Sequence, residues 1–172
     1  MRRAKDGDRE ALAALCERHH PRLERIARRI LRDPEDARDA AQDAIVRACQ
    51  RIGQFRAECA LTTWLHRLTV NACLDLAARA AARPTVRLED DERAAVDDDP
   101  VRAAELADLR RALADGLASL PSGQARVLVL KDGLGLTFPE ISAADGMPVG
   151  TAKCYAHRAR AGMRAVLEEA AA

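Results

Sequence analysis

The stretch Thr137-Phe138-Pro139-Glu140-Ile141-Ser142-Ala143-Ala144-Asp145-Gly146-Met147-Pro148-Val149-Gly150-Thr151-Ala152-Lys153 decides the fold of the C-terminal part of the chain. Thr137 and Glu140 have capping-box spacing: the hydroxyl accepts from the Glu140 amide and the carboxylate reaches back to the cap. Ile141, Ala143 and Ala144 then continue a helix for barely two turns. Asp145-Gly146-Met147 reads as a tight turn whose glycine takes a positive φ, and Pro148 restarts a helix. A short helix, a glycine turn and a longer basic helix form a helix-turn-helix. The second helix of such a unit lies in the DNA major groove. Thr151, Lys153, Cys154, Tyr155, His157 and Arg158 are then placed for base edges, with Arg160 and Arg164 farther along for phosphates. Residues 146–165 hold Lys153, Arg158, Arg160 and Arg164 and no acid, whereas a merely solvated helix mixes signs, as residues 101–118 do. The pattern therefore favours nucleic acid over solvent.

Just upstream, Gln124 to Lys131 reads as a short helix ended by Gly133. Leu106, Leu109, Leu113 and Leu117 form a leucine-rich face from about Val101 to Ala118. Before it, residues 84–100 carry Pro84, Pro100 and two acid runs without a helical face, which reads as a flexible linker. The N-terminal part opens with a helix from about Asp8 to Leu31, with Leu12, Leu15, Leu23, Ile26 and Ile30 on one face. Pro21 is expected to kink or break it near His20. Asp33-Pro34-Glu35-Asp36 starts a second helix to about Ile52, with the small face Ala37, Ala41, Ala44, Ile45 and Ala48. Residues 53–58 read as a loop, and a third helix from Thr62 or Thr63 runs through Trp64, Leu65, Leu68, Ala72 and Leu76 toward Pro84. Phe55, Arg56, Thr62, Thr63, Trp64, Arg67 and Asn71 form a second constellation. Trp64 is either a core anchor or a stacking surface for an unpaired base, with Arg56 and Arg67 on the backbone.

Composition agrees with an all-α chain of two small helical domains. Thirty-seven of 172 residues are alanine, and only Phe55, Trp64, Phe138 and Tyr155 are aromatic, too few for a sandwich or barrel. The net charge of +1 conceals a pattern: residues 1–83 are net +5, 84–100 net −5 and 101–172 net +1. Two cationic units flank an anionic connector. The longest apolar run, Ala11 to Cys16, cannot span a bilayer, and Asp6, Asp8 and Glu10 interrupt any signal peptide. The expected location is the cytoplasm, without membrane insertion. Five widely spaced cysteines without a CxxC pair read as reduced thiols. Cys154 with His157, and Cys16 with His19 or His20, supply two ligands each where zinc wants more, so no metal is expected. No nucleophile–base pair or phosphate-cradling loop appears; the chain reads as a non-enzyme without a cofactor.

Taken together, these segments resemble the extracytoplasmic-function (ECF) sigma factors of bacterial RNA polymerase over nearly the whole chain. Ala4 to Asp8 through Leu15 is similar to their opening, Asp36 to Asp43 to their polymerase-binding helix, and Thr62 to Asp75 to their most recognisable signature. Leu120 to Leu130, Gly135 to Ile141, Pro148 to Lys153 and His157 to Arg160 are similar to their C-terminal DNA-reading domain. The resemblance implies region 2 at residues 1–83, an acidic linker at 84–100 and region 4 at 101–172. It implies core polymerase binding through Asp36, Asp39, Gln42 and Asp43. It assigns −10 promoter recognition and melting to the Phe55–Asn71 constellation, −35 recognition to Thr151–Arg164, and a path toward the polymerase active-site cleft to the linker. Polymerase core, promoter DNA and an anti-sigma factor are the implied partners. The alternative is a helix-turn-helix regulator that acts without being a polymerase subunit. Four departures from the family pattern stand out: Cys49 in place of an aromatic, Pro139 inside the capped turn, Cys154-Tyr155-Ala156 in the reading helix, and Asp145 at a usually apolar position, which implies a loosened core around it.

Overall fold

The computed structural model describes residues 2–31, 33–82 and 100–170, and among them every regular element is helical. The expected linker lies outside the described residues, except that Pro100 opens a helix. After a single turn, α1 (Arg2–Lys5), the first long helix is α2 (Arg9–Ile30), capped by Asp8, whose carboxylate accepts from the Ala11 amide at 3.0 Å. Pro21 does not break it, contrary to the sequence expectation. Leu12 and Leu15 before the proline and Leu23 and Ala27 after it feed the same core, and that shared burial outweighs one lost amide donor. The helix α3 (Pro34–Arg51) begins as expected, with Asp33 accepting from Glu35 and Asp36 and proline in the first turn. Its inner face is Ala37, Ala40, Ala41, Ala44 and Ala48, all buried, so α2 and α4 (Leu61–Ala82) pack closely against it. Leu65, Leu68, Cys73, Trp64 and Phe55 complete this core. The Sγ atoms of Cys16 and Cys49, both half-buried, meet at 3.3 Å between α2 and α3.

The second unit contains α5 (Pro100–Ser119), α6 (Ser122–Leu128), α7 (Phe138–Asp145) and α8 (Val149–Ala170). Between α6 and α7 the chain makes one π turn over Val129–Gly133, so the helix expected at 124–131 starts two residues earlier and widens at its end. The capping box forms: Glu140 donates its amide to the Thr137 hydroxyl at 3.4 Å and accepts the Thr137 amide at 2.8 Å. Gly146 closes α7 in the left-handed region at φ 71°, where a side chain would be strained.

The two units share α4. One side of α4 gives Leu65, Leu68 and Ala72 to the first core. The other gives Val70, fully buried, to the second core of Val127, Leu130, Leu136, Ile141, Ala152 and Ala156, with Leu74 packed alongside. The sequence reading listed Trp64, Leu65, Leu68, Ala72 and Leu76 on this helix and left Val70 out; a helix covered on both sides shows no single stripe.

His66 sits on α4 at 6% exposure with neither ring nitrogen hydrogen-bonded. Burial, with Arg22 and His19 adding to it, pushes its pKa down from 6.5 to about 4. Between these values the unfolded chain binds the extra proton, so the contribution is complete above pH 6.5 and lost as pH falls through 4. We predict that urea midpoints decline over that window by on the order of 3 kcal/mol in stability, and that His66→Phe flattens the decline. An unchanged slope in His66→Phe contradicts this account.

Candidate nucleic-acid interface

Helix α8 is anchored by Ala152, Ala156, Ala159 and Met163, all buried. That fixes which side chains face out: Lys153, Cys154, His157, Arg158 and Arg164 are exposed, and Thr151 is half-buried at the entry. The spacing places the first four on consecutive turns of one face. Two expected DNA contacts are otherwise engaged. Tyr155 is half-buried and lies over Gly123, where an added Cβ would come 3.0 Å from the ring. Arg160 grips Asp132 with two hydrogen bonds, 2.8 and 2.7 Å, holding that carboxyl below its usual pKa and tying α8 to the π turn. An aromatic needs cover and a nearby carboxylate captures a guanidinium; neither fact was visible in the helical spacing.

Helix α3 turns a different chemistry outward. Asp39 and Gln42 are exposed, opposite the alanine face. Asp36 is half-buried, and its carboxyl is raised by that burial, then by Asp33 and Asp39. Asp43 pairs with Arg47 at 2.7 Å, and Arg47 reaches Asp75 on α4 at 2.9 Å. Val46, one turn from Gln42, is an aliphatic side chain left 45% exposed beside them, which the sequence reading did not single out. Its signal was an aliphatic residue off the alanine stripe.

The constellation expected to meet the −10 strand divides. Phe55 and Trp64 are each 7% exposed, with rings 5.3 Å apart and tilted, and Thr63 is buried beside them. Trp64 is a core anchor here and offers no free ring face, as an aromatic with a large apolar area to bury prefers. Lys5 donates to the Phe55 carbonyl and lies 5.4 Å above its ring, a contact between distant segments with no sequence signature. Arg56 points outward in the following loop, where Ala57 takes a left-handed φ of 60°, and Thr62 is half-buried. Arg67 and Asn71 face the second unit. Arg67 lies 3.5 Å from the Asp145 carboxylate, and the Asn71 carbonyl accepts from Arg126 at 3.2 Å. Asp145 also accepts from Arg126 at 2.8 Å. The expectation of a loosened core at Asp145 is corrected: the position is polar because two guanidiniums meet it.

Among the described residues, no group of three or more His, Cys, Asp or Glu side chains could hold a metal ion, and no helix is long and apolar enough to cross a membrane.

Comparison with known proteins gives the same order of parts. The family described as Sigma-70 region 2 matches residues 15–83, and the family described as Sigma-70, region 4 matches residues 110–163. The ECF RNA polymerase sigma factor SigM of Mycobacterium tuberculosis is 40% identical over 163 residues, covering 94% of this chain and 79% of that protein. The RNA polymerase sigma-H factor of Pseudomonas aeruginosa is 28% identical over 93% of this chain and 88% of its own length. The solved structure of CnrH in complex with the cytosolic domain of CnrY superposes with a TM-score of 0.61 at 28% identity, over 97% of this chain and 94% of that one. With both sigma regions present in order and a relative 40% identical over 94% of this chain, this chain belongs to the ECF sigma factors of RNA polymerase.

Proposed function

We propose that the chain serves as an alternative sigma subunit that binds core polymerase, recognises −10 and −35 promoter elements and directs initiation. Polymerase does the bond-making, and the chain itself works in the cytoplasm without catalysis, metal or cofactor. The observation that carries this reading is the outward face of α8 over residues 149–165, cationic and free of acids, held behind a capped helix and a glycine turn. Lys153 and Arg158 enter the major groove; Cys154, His157 and Thr151 sit beside them; Arg164 reaches a phosphate. Residues 1–83 form the polymerase and −10 unit, 84–100 the acidic connector and 101–172 the −35 unit. Asp39 and Gln42, with Asp36, Asp43 and Val46 alongside, dock on a basic and apolar surface of the polymerase. Arg56, Thr62, Arg67 and Asn71 face the −10 strand once accessible. An inhibitory anti-sigma protein is a further partner; CnrH, the structural relative, was solved with the cytosolic domain of CnrY bound.

The docking role is tested by reversing Asp39 and Asp43 to lysine. We expect at least a tenfold loss of affinity for core polymerase, with unchanged helical circular dichroism. Unaltered affinity rules the assignment out.

Promoter reading is tested with Arg158→Ala and Arg164→Ala on promoter variants at two salt concentrations, with polymerase present. A guanidinium paired with a guanine edge discriminates by about 1–3 kcal/mol. A phosphate contact weakens all sequences alike and lowers the salt slope by about one unit. Arg158→Ala should flatten the preference at one −35 position; Arg164→Ala should weaken binding without changing preference. Uniform weakening by Arg158→Ala means that α8 sits otherwise in the groove. Tight, specific promoter binding by the chain without polymerase favours a stand-alone regulator instead.

A further inference from the structure

Asp145 is the last residue of α7, where a carboxylate faces the negative end of the helix dipole. Its own helix therefore disfavours it. Its side chain is nonetheless only 3% exposed, and its two oxygens are taken by guanidiniums from different units: Arg126 of α6 at 2.8 Å and Arg67 of α4 at 3.5 Å. A second bond crosses the same seam, Arg126 to the Asn71 carbonyl at 3.2 Å. Without Asp145, two cations would face each other in a largely covered site, a costly arrangement.

The apolar part of the seam is centred on Val70, with Ile30 and Leu74 packed against the same core. Val70 and Leu74 reach the second core, but beside them remains a cavity of about 70 Å³ lined by Ile30, Leu74, Ala77, Ala114, Leu117 and Ala125 among others. The alanine walls and the unfilled gap contribute little dispersion energy there, so at that part of the seam the polar cluster adds to what Val70 supplies. We infer that Asp145 is an interdomain latch: by pairing with Arg67 and Arg126 it keeps the free chain closed, with Arg67 and Asn71 withheld from DNA until the two units separate. The occlusion half of this inference rests on the promoter-binding role proposed above for Arg67 and Asn71; the closure half does not.

Small-angle scattering of the full chain without polymerase or DNA tests closure directly. The wild type should be compact, with a radius of gyration near the ~16 Å typical of this length. Asp145→Ala should increase it by several ångström with unchanged helical circular dichroism. Arg126→Ala, which removes the same cluster from the other side, should do likewise. A wild type already extended, or both variants helical and as compact as the wild type, overturns the latch. Loss of helicity in both variants also overturns it, because Asp145 would then maintain the fold of one unit. In parallel, titration with core polymerase should show Asp145→Ala binding about tenfold more tightly, if about one chain in ten is open in the wild type. Opening by scattering with no polymerase affinity in either protein would refute the proposed function and leave the closure standing.

Discussion

Burial of α4 on both sides is the constraint on which the rest depends. Its Leu65–Leu68–Ala72 face must find a partner, and the alanine stripe of α3 supplies one at close range. With that side filled, Val70 and Leu74 on the other side need cover as well, and α6, α7 and the π turn provide it. Because α2 and α3 are aligned by this packing, Asp39 and Gln42 have a defined outward direction. Because the second core closes over Val70, the caps of α7 and the inner alanines of α8 set which side of α8 faces out. The surfaces follow from the helix between them.

Charge is distributed by the same geometry. Asp39 and Gln42 point out from α3 alongside Arg38; Lys153, Arg158 and Arg164 point out from α8 ahead of its acidic end at Glu168; and other acids and bases are drawn into local pairs such as Arg160 with Asp132. A net charge of +1 is thus compatible with two surfaces of opposite character, one suited to a basic protein partner and one to phosphate. The Arg67–Asp145–Arg126 cluster differs from the surface pairs in being covered and in joining two units.

Local signals in the sequence located the helices and several of their ends. Asp33-Pro34, the Thr137–Glu140 box and Gly146 each act within one turn, so reading them needed no tertiary knowledge. The outward side of α3 followed from its alanine face by the same periodicity, whereas on α8 the cations were read without the buried Ala152, Ala156 and Ala159 that set its face. What stayed hidden depends on residues distant in the chain. Pro21 is absorbed because both halves of α2 feed one core. Trp64 is buried because Phe55 folds back against it, and Arg160 is taken by Asp132, 28 residues away. The oddity of Asp145 was visible as a departure from the family pattern; its cause, guanidiniums 19 and 78 positions away, was not.

The central claim is that these surfaces act together on polymerase and promoter. Reconstituted run-off transcription tests it most directly, using purified core polymerase, this chain and the DNA upstream of its own gene. The account predicts a discrete transcript from one start site only when core polymerase and chain are both present. No transcript beyond that of core polymerase alone, with the chain bound stably to the same DNA by itself, would contradict it.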